Sequence, residues 1–401
     1  MSAVHFTCRF FYSAATRFQY TVPQLCLQKS TSHFHIRMSS RNETTVTANE
    51  AKRLRSDPPV IGTHSGTFHC DEVLACFMLK QLPEYKNASI FRSRDDKLLH
   101  EKCDIIVDVG AEFNHDKKFY DHHQRSFQET LSSLRPELGD EFKIRLSSAG
   151  LIYAYYGERV IENILKKYEK PELSAENLRL SYIQIYRNFI SEVDAIDNGI
   201  PMYENVGEPL YKISTNLSPR VHRLNPSWED EQGSEIEQKR FERALDLVGT
   251  EFVNNVLDMA CSWVKAREYV REALEQAKSV YKTGEILILN RFCPWKAHLA
   301  DLEKEYNVEG IPKLVLFSEK EVSWRVAGVP VSPTSYLGRK FLPTPWRGLR
   351  DEELSKKANI PDLIFVHTTG FIGGAKTKES ALKMAIASVE WQDNDELNAS
   401  T

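Results

Sequence analysis

The chain has 401 residues, more than one hydrophobic core usually organises, so its length predicts two folded domains. No apolar run approaches the roughly 18 residues that a membrane span needs, so no membrane partner is expected. The formal net charge of −4 excludes nucleic-acid binding through bulk positive charge, so such binding would need a local basic patch. The seven cysteines contain no Cys-x-x-Cys pair, which argues against zinc fingers and indicates a reducing compartment.

The first 57 residues are predicted to be a transit peptide followed by a disordered linker. Residues 1–42 contain five Lys or Arg side chains and no acidic residue, a composition typical of mitochondrial import signals. A short basic cluster at residues 52–55 is of the kind that nuclear import reads. We expect the mitochondrial matrix, with the nucleus as a second address. A solvated tail, or a start at Met38 that removes the segment, are the open alternatives.

Strands alternate with helices after this segment, which predicts an α/β catalytic domain over residues 58–224. Short apolar runs at residues 60–63 and 105–107 predict strands of a mainly parallel sheet flanked by helices. Helical spacing of apolar residues, with Pro83 and Gly199 as end signals, predicts three long helices. These helices span residues 71–82, 147–167 and 176–198.

A charged helical connector is predicted over residues 225–282, followed by a smaller α/β domain over residues 283–393 that binds substrate. The chain shows no internal repeat. In the C-terminal domain, strands are predicted at residues 285–290, 313–317, 322–326 and 363–366, and helices at residues 349–357 and 377–389.

Histidines and acids concentrate near the predicted strand ends of the first domain. Six of the twelve histidines lie between residues 64 and 123, together with several aspartates. Loops that follow parallel strands meet at one edge of the sheet, so these side chains can converge there. Imidazoles and carboxylates together suit manganese, zinc, iron or cobalt, and several carboxylates allow two ions. Two such ions can activate water and neutralise a phosphoester.

The triplet Asp121-His122-His123 resembles the motif that names the DHH phosphoesterases, a superfamily of exonucleases, oligoribonucleases and manganese-dependent pyrophosphatases. The order of the motifs also matches, with a loop rich in His and acid first, then Asp108, the triplet and a later acid on a helix. More closely, three segments resemble the melanocyte-proliferating-gene exonuclease family over about residues 58–393. These segments span residues 62–72, 193–199 and 371–375.

The resemblance implies two metal sites that share the carboxylate of Asp108. The implied ligands are His64, His69 and Asp108 for the first ion, and Asp71, Asp108, His122 and Asp194 for the second. It further implies that His123 faces the scissile phosphate as a catalytic donor, with Asp121 orienting a neighbouring imidazole. The role of Asp197 stays open between a helix end and support of the site, and Cys70 is expected to pack against the first helix.

The first motif departs from the usual His-x-x-x-Asp-x-Asp pattern of the superfamily. Here it reads His64-x-x-x-x-His69-x-Asp71, so an imidazole replaces one carboxylate. More nitrogen ligands weaken the case for magnesium. The expected cofactors are therefore two divalent ions, with manganese favoured and zinc or cobalt as alternatives.

Six further residues are candidates for substrate binding. Arginines beside tryptophans or between the domains can pair with phosphates, and a glycine pair can let a backbone approach a nucleotide. These candidates are Arg220, Arg223, Arg325, Arg347, Gly373 and Gly374. Tight turns and core tryptophans are the structural alternatives.

The resemblance predicts hydrolysis of single-stranded RNA from its 3′ end by two-metal activation of water. The same residues would serve a pyrophosphatase or a nucleotide phosphatase, which is the closest alternative. A third alternative is a non-catalytic RNA-binding module that keeps its metal for folding. The released product, nucleotide or orthophosphate, discriminates the first two.

Overall fold

The computed structural model describes residues 58–203, 207, 211–320 and 322–392. The predicted transit peptide and the basic cluster at residues 52–55 lie outside the described residues. The described chain is α/β, as predicted, and contains two five-stranded sheets. No helix in the described residues is both long and apolar enough to cross a membrane.

The first sheet has the strand order β2-β1-β3-β5-β4. Its strands are β1 Val60–Thr63, β2 Ser89–Arg92, β3 Ile105–Val107, β4 Phe113–Asn114 and β5 Phe119–Tyr120. The pairs β1–β2, β1–β3 and β3–β5 are parallel, and only β4 runs antiparallel to its neighbour β5. The carboxyl ends of β1, β3 and β5 therefore lie on the same edge, where the loops rich in His and Asp begin.

Helices cover this sheet and complete the first core. They are α1 Cys70–Leu79, α2 Asp96–Lys102, α3 Leu131–Leu134, α4 Ser148–Lys167, α5 Ala175–Ile185, α6 Ser191–Asp197, α7 Leu217–His222 and α8 Ser234–Cys261. Nine of the ten residues of α1 are buried, because α1 packs against both α4 and α8. The helix predicted over residues 71–82 ends early. The amides of residues 81 and 82 bond to carbonyls three residues back, rather than to those four residues back as in an α-helix. The stretch predicted as one helix over 176–198 is interrupted by a π-helical turn, Tyr186–Ile190.

The predicted connector at residues 225–282 contributes to both cores. Phe241 and Phe252 of α8 belong to the first core. Helix α9, Ala266–Glu275, and the short α10, Ala277–Val280, follow a 3₁₀ turn at Trp263–Lys265. Apolar side chains of α9 belong to a second core, which packs on the second sheet.

The second sheet has the order β6-β7-β8-β10-β9 and is mainly antiparallel. Its strands are β6 Ile286–Ile288, β7 Leu314–Glu319, β8 Ser323–Gly328, β9 Leu363–Val366 and β10 Ile372–Ala375, and its helices are α11 Trp295–Glu305, α12 Asp351–Ala358 and α13 Lys378–Glu390. Successive strand residues point to opposite faces. Val315 and Phe317 accordingly pack in one cluster, and Leu314 and Leu316 in another. Both faces of this sheet are therefore covered.

Candidate metal centre

The residues of the candidate metal centre follow the strands of the first sheet. His64 comes directly after β1, Asp108 directly after β3, and the triplet Asp121-His122-His123 directly after β5. Asp108 has a φ of 57°, in the left-handed region that short polar side chains tolerate better than most. The chain therefore turns immediately after the strand, and the Asp108 carboxylate stays buried at the sheet edge.

Three groups of side chains place metal-binding atoms within 4.8 Å of one another among the described residues. The groups are His64, His69, Glu72 and Asp108; Asp108, His122 and His123; and His69, Asp71 and Asp197. Asp108 belongs to two groups, and so does His69. The arrangement is therefore one continuous centre with shared members.

In the first group, the His64 Nε2 lies 3.1 Å from the Glu72 Oε1 and 3.3 Å from the Asp108 Oδ2. Glu72 also accepts the backbone N–H of His69 at 2.9 Å, which closes a capping box at the start of α1. Glu72 was not among the predicted ligands. Its signal in the sequence is an acid that follows Asp71 at the start of a largely apolar helix, because an acid is rarely buried without a partner.

In the second group, the His122 Nε2 lies 3.4 Å from the Asp108 Oδ1 and 3.0 Å from the Asp197 Oδ2. His123 is exposed, and its Nδ1 lies 2.7 Å from the Asp121 Oδ1. The other oxygen of Asp121 accepts the backbone N–H of Ala111 at 2.6 Å. Asp121 is thus anchored by the backbone and orients the His123 ring.

The third group places Asp197, rather than the predicted ligand Asp194, beside the other donors. The Asp194 Oδ1 accepts both the backbone N–H of Ser147 at 3.0 Å and its hydroxyl at 2.7 Å. A Cβ on Gly150 would lie only 2.4 Å from the same oxygen, so Asp194 packs directly against the first turn of α4. A helix N-terminus favours a carboxylate there. Asp194 therefore faces α4, and Asp197 faces His122.

Buried acids dominate the electrostatics of the centre. Burial raises the pKa of Asp71 and of Glu72, and the neighbouring carboxylate of Asp108 raises both further. Burial also acts to raise the pKa of Asp108, but hydrogen bonds with His122 and His64 hold it below its ordinary value. Neither oxygen of Asp71 has a hydrogen-bond partner among the described residues. The centre therefore contains more carboxyl groups than the two buried imidazoles can pair.

The two buried imidazoles respond to this excess. Burial alone lowers the pKa of His64, but hydrogen bonds to Asp108 and Glu72 raise it to about 10. Burial likewise lowers the pKa of His122, and its contacts with Asp108 and Asp197 raise it to about 10. A divalent cation fits this donor set, because it supplies positive charge to the buried carboxylates and accepts imidazole nitrogen.

Two cavities open beside these residues. One, of about 370 Å³, is lined by His64, His69, Asp108 and Arg94 among others. The other, of about 570 Å³, runs from Asp71 and Asp197 to α7 and the chain before it. Cys70 lies on the wall of the second cavity, and burial raises the pKa of its thiol to about 12. This thiol therefore stays protonated and is a poor metal ligand.

Of the two candidate arginines in and just after α7, one lines a cavity beside the centre. Arg223 lines the 570 Å³ cavity. Arg220 instead forms a salt bridge of 2.9 Å with Glu251 of α8.

The candidate substrate residues of the C-terminal region lie in and around the second sheet. Arg325 pairs with Glu319 and lies over the ring of Phe365. The Nε of Arg347 donates to the Leu342 carbonyl at 3.0 Å.

The glycine pair is not a loop. Gly373 and Gly374 lie in β10, between β8 and β9, so their backbone belongs to the sheet. A Cβ on Gly373 would meet a Leu342 methyl at 2.7 Å and the Met384 sulfur at 2.9 Å. The pair therefore allows side chains to pack closely on the strand.

The fold and the donor set define a class, which is an α/β protein with an imidazole and carboxylate centre suited to divalent cations. Residues 60–389 match the model MYG1_exonuc, described as Uncharacterised protein family (UPF0160), and the chain belongs to this family. The predicted membership in the melanocyte-proliferating-gene exonuclease family is thereby confirmed.

Curated relatives cover most of the chain. The MYG1 exonuclease of Rattus norvegicus is 47% identical over 84% of this chain and 87% of its own length. A MYG1 protein of Caenorhabditis elegans is 44% identical over 82% of this chain and 95% of its own length. A MYG1 protein of Saccharomyces cerevisiae is 41% identical, with coverages of 84% and 98%.

Proposed function

We propose that this protein is a metal-dependent phosphodiester hydrolase that releases nucleotides from the 3′ end of single-stranded RNA with two divalent cations. The observation that carries the proposal is the position of Asp108, whose carboxylate belongs to two of the overlapping donor groups. A shared carboxylate offsets the repulsion between two cations held close together. The rat relative is named an exonuclease, which supports a nucleic-acid substrate for this chain.

The proposed ligands follow the groups in the structure. His64, His69, Glu72 and Asp108 would hold one cation, and Asp71, Asp108, His122 and Asp197 the other. The cations would supply Lewis-acid activation of water and neutralise phosphate charge. Asp194 fixes α6 against α4, which positions Asp197. Manganese is the favoured ion because three imidazoles contribute nitrogen, with zinc or cobalt as alternatives.

His123 would supply the proton in this reaction. Its hydrogen bond with Asp121 raises its pKa, which favours the protonated imidazole. Water adds to phosphorus and releases a proton to solvent, the bond from phosphorus to the O3′ of the preceding nucleotide breaks, and that oxygen takes the proton of His123, which solvent replaces. The products are a nucleoside 5′-monophosphate and a chain shorter by one nucleotide. The exposed imidazole can reach a phosphate in either cavity, because it lines both.

A pyrophosphatase or nucleotide phosphatase would use the same donor groups. The 570 Å³ cavity beside Asp197 has apolar side chains on its wall, which an inorganic phosphate does not need. This feature favours a substrate with a nucleoside over pyrophosphate.

The proposed site of action is the mitochondrial matrix, with the nucleus as a second address. The five basic side chains without an acid in residues 1–42 support the first location, and the basic cluster at 52–55 supports the second.

The function is tested by metal analysis and by digestion of a single-stranded RNA labelled at its 5′ end, with and without manganese. We expect bound divalent metal and a ladder that shortens one nucleotide at a time, and we expect Asp71→Asn to abolish shortening. A matched DNA strand and pyrophosphate serve as comparison substrates. Orthophosphate release from pyrophosphate without RNA shortening would contradict the proposal and favour the alternative.

A further inference from the structure

We infer that the 570 Å³ cavity between α6 and α7 binds the terminal nucleotide of the substrate, with the base against isoleucine side chains and the phosphate toward Lys212 and Arg223. The substrate class rests on the proposed function, whereas the residues come from the cavity itself. Its volume lies within the roughly 300–1,000 Å³ of small-molecule sites.

The apolar part of the cavity is formed by three aliphatic side chains. Val193 and Ile196 extend from α6, and Ile213 lies in the chain that precedes α7. Ile196 is 40% exposed and Ile213 is 51% exposed, so both offer apolar surface to a ligand. Covering such surface with a flat base is favourable, because apolar area leaves water.

The cationic part of the cavity lies on the wall formed by α7 and the residues on either side of it. Lys212, His222 and Arg223 line it, and the Arg223 Nη1 donates to the Ser214 carbonyl at 2.8 Å. No carboxylate pairs with Lys212 or Arg223 among the described residues, in contrast to Arg220 and its partner Glu251. Positive charge is therefore available for a phosphate.

The remaining wall belongs to the candidate metal centre. His69, Asp71 and Asp197 line the cavity, and Asp197 is the neighbour of Ile196 on α6. One helix thus carries both a metal-binding carboxylate and part of the apolar surface. A nucleotide in the cavity would hold its phosphate beside the donor groups while its base lies against the aliphatic side chains. One cavity that takes one nucleotide is consistent with release of single nucleotides.

The test is calorimetric titration of the full chain with adenosine monophosphate, adenosine and orthophosphate in manganese buffer. Ile196→Asn should weaken binding of the first two by about tenfold and change orthophosphate binding by less than about twofold. Arg223→Met should weaken adenosine monophosphate and orthophosphate by about fivefold and change adenosine by less than about twofold.

Two matched controls report on general effects of the substitutions. Ile311→Asn changes an isoleucine of similar exposure outside the cavity, and Arg240→Met changes an arginine that pairs with Asp230. Neither should alter binding of the three probes. Ile213→Asn is the second apolar variant, and thermal unfolding together with manganese content shows that each variant is folded.

Unchanged adenosine monophosphate affinity in both Ile196→Asn and Ile213→Asn overturns the inference. Binding does not require turnover, so the two proposals fail separately. If the chain shortens RNA but neither isoleucine variant changes nucleotide binding, the proposed function stands and the assignment of this cavity is wrong. If the isoleucine variants weaken nucleotide binding but the chain does not shorten RNA, the assignment of the cavity stands and the proposed function is wrong.

Discussion

Histidines are buried both at the edge of the first sheet, here called the first region, and in α11 of the C-terminal part, the second region. Burial has opposite consequences for their protonation in these two places. At the edge of the first sheet, contacts with carboxylates raise the pKa of His64 and His122 to about 10 despite burial. In α11, burial lowers the pKa of His298 to about 4, since the hydrogen bond of its Nε2 goes to the neutral Trp263 carbonyl, at 2.8 Å, and its ring stacks on the indole. Burial alone therefore favours the neutral imidazole, whereas neighbouring carboxylates favour the charged one.

The largest expected effect comes from removing the shared carboxylate of the first region. Asp108→Asn should lower RNA hydrolysis by at least about 100-fold, because both proposed cation sites lose a ligand. Bound metal per chain, measured by mass spectrometry, should fall as well. Asp116→Asn changes an exposed aspartate of the same region and should leave both quantities unchanged. Full metal content in Asp108→Asn would show that the Asp108 carboxylate is not needed to hold the cations.

The histidine of the second region predicts a dependence of stability on pH. Between its unfolded pKa of 6.5 and its folded pKa of about 4, the unfolded chain binds the additional proton. The contribution of neutral His298 to the free energy of unfolding is therefore fully present above pH 6.5. It is lost as pH falls toward 4, by roughly 3 kcal/mol.

Urea unfolding at pH 7 and at pH 4.5 measures this contribution. The free energy of unfolding should fall less in His298→Gln than in the unchanged chain over this interval, because glutamine does not titrate. Equal losses in the two proteins would show that His298 is not held neutral.

A smaller effect is expected from the glycine pair of the second sheet. Gly373→Ala should lower the free energy of unfolding by about 1–3 kcal/mol, since the added methyl group overpacks against Leu342 and Met384. Hydrolysis per folded molecule should persist, as judged by activity normalised to native circular dichroism. Loss of activity without loss of stability would instead support the nucleotide-binding role expected from the sequence.

The smallest effect concerns the ion pair between Arg325 of β8 and Glu319 of β7. Arg325→Met should change stability by less than about 1 kcal/mol, because the partner Glu319 is exposed and water screens the pair. The KM for RNA tests whether Arg325 also binds substrate. An unchanged KM assigns Arg325 to the sheet surface, and a raised KM makes the second sheet part of the substrate site.

Much of the fold could be predicted because periodicity is a local property of the chain. The helix predicted at residues 147–167 differs from α4 by one residue at its start, and the one predicted at 377–389 differs from α13 by one residue at each end. Strand β10 was not predicted, because two glycines remove the side chains whose alternation would reveal it. The π-helical turn before α6 was also missed, since a single wider turn leaves the apolar pattern nearly intact.

Within the candidate site, the loops that carry the donors could be predicted from the sequence, because histidines and aspartates follow parallel strands that end at one edge. Which acids face the centre could be seen only in the folded chain. Asp194 and Asp197 are three residues apart on α6, and local spacing does not distinguish them. The contact of Asp194 with Ser147, the residue before α4, turns it away, and Glu72 is brought in through a capping box with His69. Such choices depend on packing between distant segments, which no local pattern encodes.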